Sequence, residues 1–389
     1  MNVFEEIRNR EQTRSVKWDM RASVFGTDDV LPMWIADMDF PAPDIVNERI
    51  IERAKHGIYG YTIIDDKVRD AVKNWQFKRH QWSIDPQAIS FTPSVVASLH
   101  IAIQALTNKG DNILIQTPVY TPFFNVIKQH GRQIIESPLV LKDGRYEIDF
   151  AHFEEKISSG IKAFILCSPH NPVGRVWTEE ELREIARLCL KYDVTIISDE
   201  IHGDLVYEGH KHIPIASLSD DISQHVVTCT SPTKTFNLAG LQVSYMITEN
   251  KSLKKTIDET IKLEGFDSLN TFGIVALEAA YEGGEQWLSG LIDTLMTNQN
   301  YFIDAINSQT DKLNVIRSEG TYLNWIDCSN LGLSDQELST FMTKEAKVGL
   351  NRGSGYGSPG EQFMRINIAC PHQLVKESAD RIIRAIQTL

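Results

Sequence analysis

The sequence predicts an α/β protein, with a large domain built on a mostly parallel sheet and a smaller α+β domain beside it. Three observations predict this. Short apolar runs alternate with helical stretches through the middle of the chain, the pattern of strand–helix units laid on a parallel sheet. Those runs are β-branched and often apolar throughout, as expected of strands covered on both faces. The 389 residues, 42% of them hydrophobic, supply more core than one ordinary domain holds.

The strands are read, in order, at 88–92 (AISFT), 112–116 (NILIQ), 162–167 (KAFILC), 194–198 (VTIIS), 225–230 (HVVTCT) and 243–248 (VSYMIT). Helices lie between them, clearest at 95–107 and 178–191. The latter opens on Thr178-Glu-Glu-Glu, a hydroxyl followed by acids that satisfies the free N–H groups of a first turn. From about 289 a helical stretch begins. Two further strand candidates follow near 321–327 and 364–368, and an amphipathic helix spans 373–388. The expected division is a large domain over 46–288 and a small domain formed by 1–45 together with 289–389. The chain has no repeat, no low-complexity tract and no long linker, so the domains interleave.

Composition narrows the function. The chain carries 39 Lys and Arg against 52 Asp and Glu, a net charge of −13, and its pI is about 5.4. Such a surface repels nucleic acid, so a phosphate on this protein needs a local cradle. Five scattered cysteines without a CxxC pair read as reduced, buried thiols of a cytoplasmic protein. The opening MNVFEEIRNREQ is charged, so no signal peptide is expected. No apolar run approaches the roughly 20 residues that span a bilayer. His210-Lys-His212 lacks a third ligand at a recognised spacing, so no metal is expected. Gly353-Ser-Gly-Tyr-Gly357 lacks the strand and helix that flank a nucleotide loop, and reads as a flexible loop leading to Arg365.

Ligands of open α/β sheets sit beyond the carboxyl ends of the strands. The segments found there are Thr92-Pro-Ser-Val-Val96, Thr117-Pro-Val-Tyr120, Ser168-Pro-His-Asn171, Asp199-Glu-Ile-His202 and Ser231-Pro-Thr-Lys234. This inventory suits pyridoxal 5′-phosphate (PLP). That cofactor needs an amine for its aldehyde, an anion behind its pyridine nitrogen, a donor for its phenolate oxygen, a flat partner and a phosphate cradle. Lys234 supplies the amine, Asp199 the anion, Asn171 the donor and Tyr120 the flat ring. The helix starting at Val95 offers free N–H groups to the phosphate, and Ser231 adds a hydroxyl. Plainer readings stand beside these. Asp199 and Ser231 are common helix caps, Asn171-Pro is a common turn, and Tyr120 is an ordinary core aromatic. His202 is either a cofactor contact or a satisfied structural histidine.

SPHNPVGRVWT, SDEIHGDLVY and TSPTKTFNLAGLQ resemble the fold-type I, PLP-dependent aminotransferase superfamily (class I/II). WIADMDFPAP, YGYT at 59–62 and MRINIACP at 364–371 fall in the family's order, so the resemblance covers nearly the whole chain. It implies the PLP-dependent transferase fold type I. It implies that Lys234 is the cofactor lysine and proton-transfer base, with Asp199 at the pyridine nitrogen, Asn171 at the phenolate oxygen and Tyr120 on the ring. The amides of Val95 and Val96, with Ser231, are implied for the phosphate, and Tyr61 for the phosphate of a neighbouring subunit in a homodimer. Arg365 is implied for the substrate α-carboxylate, a task that suits a planar two-point fork. Asn171 borders the same substrate, and Trp34 and Asp37 fall in the segment lining its entrance.

Two departures narrow the resemblance. Gly240-Leu-Gln242 has Gln where many aminotransferases carry a phosphate-binding Arg, and His202 stands where many carry Tyr. With WIADMDF, these strings resemble the cystathionine β-lyase (C–S lyase) subgroup of MalY/PatB type. The implied reaction is β-elimination from a cysteine S-conjugate such as cystathionine, giving a thiol, pyruvate and ammonia. The alternatives are a transaminase of the same fold and a non-catalytic or regulatory protein that keeps it.

Overall fold

Alternation along the strands builds two cores, one on each side of a seven-stranded sheet. The computed structural model describes residues 3–389. Its main strands are β1 (Ile89–Thr92), β2 (Asn112–Ile115), β3 (Gln133–Glu136), β4 (Ile161–Cys167), β5 (Thr195–Asp199), β6 (Val226–Thr230) and β7 (Ser244–Ile247). They lie in the order β1-β7-β6-β5-β4-β2-β3. Pairs among β2 to β6 are parallel, and β7 runs antiparallel to both its neighbours. Ile113, Ile115, Ala163, Ile165 and Ile197 join one buried cluster, while Leu114, Phe164, Leu166 and Ile196 join the other. Successive side chains point to opposite faces, so a run apolar throughout demands cover on both.

Helices provide it. They include α1 (Asp44–His56), α2 (Asp66–His80), α3 (Val95–Leu106), α4 (Thr121–Gln129), α5 (Glu179–Lys191), α6 (Lys251–Leu263), α7 (Thr271–Gly283), α8 (Glu285–Gln309), α9 (Asp335–Lys344) and α10 (His372–Ile386). Leu99 and Ile103 of α3, Phe123 and Val126 of α4 and Ile257 of α6 pack on one face. Trp75 of α2, Leu182 and Ile185 of α5 and Leu277 of α7 join the cluster on the other. Thr178 caps α5 in a reciprocal box with Glu181, worth about 1 kcal/mol.

Strand β3, at the sheet edge, has no counterpart among the expected strands. Its four residues are all partly or fully exposed, so its sequence QIIE carries no buried-strand signature. The 45/46 and 288/289 boundaries fall within the first turns of α1 and α8.

Toward the carboxyl end, β8 (Asn314–Ile316), β9 (Leu323–Asp327), β10 (Asn351–Arg352) and β11 (Phe363–Asn367) form an antiparallel sheet in the order β8-β9-β11-β10. Alternation in β11 sends Met364 and Ile366 to one face, Arg365 and Asn367 to the other. A strap over residues 33–40 crosses that second face. Asn367 Nδ2 donates to Ile35 O and Asp37 O, each at 2.6 Å. Asn237, three residues past Lys234, donates to Met38 O and Phe40 O. The strap thus links the two sheets across the site.

Candidate active site

Three neighbouring parallel strands run out at one cavity of about 160 Å³. Strand β4 leads to Cys167 and Asn171, β5 ends at Asp199 with His202 beyond it, and β6 leads through Ser231 to Lys234. Tyr120, at the N-cap of α4, and Val95 and Val96, in the first turn of α3, complete the wall with Ala36 and Thr233. The sheet therefore gathers Lys234, Asp199, Asn171, His202, Tyr120, Val95 and Val96 around one space, from segments scattered over 140 residues of chain.

Burial sets the protonation of these groups. Lys234 Nζ donates to Ala36 O at 2.5 Å. Desolvation, and then the nearby Arg365 charge, bring its pKa down to about 8. Desolvation pushes Asp199 up to about 7. Among the described residues its carboxylate accepts one hydrogen bond, from Ile201 N at 3.2 Å. Desolvation and the charges of Lys234 and Arg365 lower His202 to about 3, so the ring is neutral. Its Nδ1 is buried without a hydrogen-bond partner, and the residue lines the cavity. Desolvation raises Tyr120 to about 12, which keeps its hydroxyl protonated.

Arg365 is buried in β11. Nη1 donates to Asn171 Oδ1 at 3.1 Å, and Nη2 to Trp34 O at 2.9 Å and Asn351 Oδ1 at 2.7 Å. The guanidinium lies 5.2 Å from the Tyr356 ring centroid. Its Nε is buried and unpartnered. Because Asn171 accepts through Oδ1, its amide NH2 is left as a donor.

Three expected residues lie elsewhere. Ser231 caps the short helix Pro232–Thr235; its hydroxyl donates to Val243 O at 2.7 Å and accepts from Thr233 N at 3.0 Å. Thr233, not Ser231, faces the cavity. Asp37 turns away toward Arg10, 2.6 Å from its carboxylate, and Ala36 is the strap residue at the wall. Tyr61 is fully exposed on this chain and touches no part of the cavity. Trp34 lies at Arg365 but lines a separate chamber.

Sequence reasoning missed Ala36, Thr233, Asn351 and Tyr356. Tyr356 had a signal. The glycine-rich segment taken for a flexible loop is two packed 3-10 turns, Gly353–Tyr356 and Ser358–Gly360. A Cβ on Gly353 would meet Gly360 O at 2.0 Å, and Val119 N and Thr121 Oγ1 hold Tyr356 O and Gly355 O. Those glycines mark close packing that seats Tyr356 under Arg365.

The arrangement fits PLP on its own terms. A buried carboxylate lacking a cation, an unpartnered imidazole nitrogen and the free N–H groups of a helix start all await a ligand. Among the described residues no group of three or more His, Cys, Asp or Glu could hold a metal ion, and no helix is long and apolar enough to cross a membrane.

The fold and site define a PLP-dependent enzyme of fold type I. The chain belongs to the family described as aminotransferase class I and II, which matches residues 29–382, and within it to the cystathionine β-lyase subgroup. It is 44% identical to cystathionine beta-lyase PatB of Bacillus subtilis (strain 168), over 98% of this chain and 99% of that protein. It is 32% identical to protein MalY of Escherichia coli (strain K12), over 99% of each. The crystal structure of cystalysin from Treponema denticola, which contains a PLP cofactor, superposes with a TM-score of 0.97 at 34% identity, covering 100% of this chain and 99% of that one.

Proposed function

We propose that this protein is a PLP-dependent carbon–sulfur β-lyase, cleaving cystathionine or a related cysteine S-conjugate to a thiol, pyruvate and ammonia. The observation that carries it is Lys234 and Asp199, each shifted by burial toward its neutral form, on the wall of one cavity beside Arg365. The relatives' names select C–S cleavage from the reactions such a site can support.

PLP, when bound, draws electrons from the substrate's Cα, making its proton acidic and letting a thiolate leave from Cβ. The chain's residues do the rest. Asp199 is the anion suited to the pyridine nitrogen, and pairing with a cation there would offset its cost of burial. The Asn171 amide and the neutral His202 ring offer donors at the cavity wall. Val95 and Val96 N–H, at a positive helix end, suit the phosphate, and Thr233 adds a hydroxyl there. Tyr120 presents an aromatic face. Arg365 would exchange its contacts with Asn171 and Trp34 for the α-carboxylate, fixing the substrate so that Cα–H points at Lys234 Nζ. At a pKa of about 8 that amine is a competent base near neutral pH. The exposed Tyr61 suits a homodimer in which it reaches the partner's phosphate. A cytoplasmic location goes with five buried, unpaired cysteines.

The test is purified enzyme with cystathionine or an S-alkyl cysteine and no keto acid. Catalytic release of thiol and pyruvate is the expected result. A strict requirement for a keto-acid acceptor would instead make the protein a transaminase.

A further inference from the structure

One backbone oxygen at the site accepts twice. Ala36 O, in the strap, takes a hydrogen bond from Lys234 Nζ at 2.5 Å and another from the Tyr322 hydroxyl at 2.9 Å. Asn367 grips the carbonyls on either side, Ile35 O and Asp37 O, which fixes the backbone around Ala36. Tyr322 precedes β9 and is buried. Its own carbonyl accepts from Ile368 N at 3.0 Å, and its ring stands edge-on to His202 with 5.8 Å between centroids. Burial, reinforced by the Asp37 charge, raises the phenol well above its ordinary pKa. The hydroxyl therefore stays a donor wherever Lys234 titrates.

A carbonyl oxygen has two lone pairs and can serve both donors. Each, however, weakens the other's bond. The phenol aims the positive end of its O–H dipole at the oxygen, and in a buried site that charge opposes the ammonium beside it. Ala36 O is the amine's one acceptor among the described residues. Asp37 on the strap and Asp199 on β5 favour the cation from a distance, and Arg365 on β11 disfavours it. His202, beyond β5, is neutral. The hold on Lys234 is thus set largely at the shared oxygen.

We infer that Tyr322 is a positioning residue for Lys234, sharing Ala36 O with it so that the amine is held loosely enough to leave for the cofactor's aldehyde and for the substrate's Cα proton. The inference rests on reading Lys234 as the cofactor lysine and base.

The test titrates Lys234 itself. The full chain, stripped of PLP, is labelled with acetic anhydride between pH 6 and 10, and the peptide carrying Lys234 is read by mass spectrometry. In Tyr322→Phe the ammonium has Ala36 O to itself, so the midpoint should rise and labelling at pH 7 should fall about threefold to tenfold. A stronger donor of nearly the same shape, 3-fluorotyrosine at position 322, should move the midpoint down. In the holoenzyme acting on an S-alkyl cysteine, the acid limb of kcat should move with the midpoint in Tyr322→Phe, and KM should stay within about twofold. An unmoved midpoint in Tyr322→Phe overturns the inference, as does a shift in the same direction for both replacements, which would mark disturbed packing. If the midpoints move as expected but no cysteine conjugate is cleaved, the inference stands and the lyase reading falls.

Discussion

Lys234 shows how a residue acquires a task from its surroundings. An exposed lysine stays ammonium to beyond pH 10 and cannot attack a carbonyl. Burial disfavours that cation, and Arg365 disfavours it further, so the group titrates at about 8. The sign follows: below about 8 the ammonium dominates, above it the free amine. Uptake of PLP by the apoprotein should therefore speed up about tenfold per pH unit to near pH 8 and then level off. Stopped-flow absorbance will measure it. A rate still climbing at pH 10 would mean an ordinary lysine. His202 shows the limit of reading residues from sequence. D-E-I-H marks it as near the site, but only the fold shows that the residue lines the cavity.

Elements position these groups, and the tie between two of them is a carboxylate. Thr235, next to Lys234, donates to Asp204 Oδ2 at 2.8 Å. Trp75 Nε1 reaches both Asp204 oxygens at 3.1 and 3.2 Å, and His80 Nε2 lies 3.3 Å away. Asp204 sits on the segment leaving β5, so it joins the loop of Asp199 and His202 to the helix of Lys234. Asp204→Asn keeps the shape but replaces one accepting oxygen by a donor. Urea unfolding should show a loss of about 1–3 kcal/mol, and kcat should fall more than KM changes, because the displaced group is the base rather than the α-carboxylate fork. An intact kcat would show that Thr235 does not need this anchor. Strands such as 162–167 and helices such as 178–191 were legible because burial on both faces and the Thr178 capping box write themselves into local sequence. The site's second layer was not. Ser231 and Asp37 are the right residue types in the right segments, yet Val243 O and Arg10, distant in sequence, decide where they point. Asn351 reaches Arg365 only through sheet register, which no short motif records.

For the whole molecule, the question is what covers the segment after α1. Ile58 and Ile63 are 67% and 78% exposed, and Tyr61 is wholly so. Large apolar side chains clustered in water along six residues mark a contact surface more often than an accident. No residue of the segment lines its own chain's cavity. If Tyr61 serves a neighbour's site, a Tyr61→Ala subunit damages its partner and not itself, whereas a Lys234→Ala subunit damages only itself. Each variant alone should be nearly inactive. Mixed after mild unfolding and refolding, they form hybrids in which one of the two sites has a native Lys234 and a native Tyr61. With random pairing, half of the dimers are hybrids, so activity should recover to about one quarter of the native level. If Tyr61 instead acts within its own chain, each variant damages only its own site. No hybrid site is then whole, and mixing restores nothing.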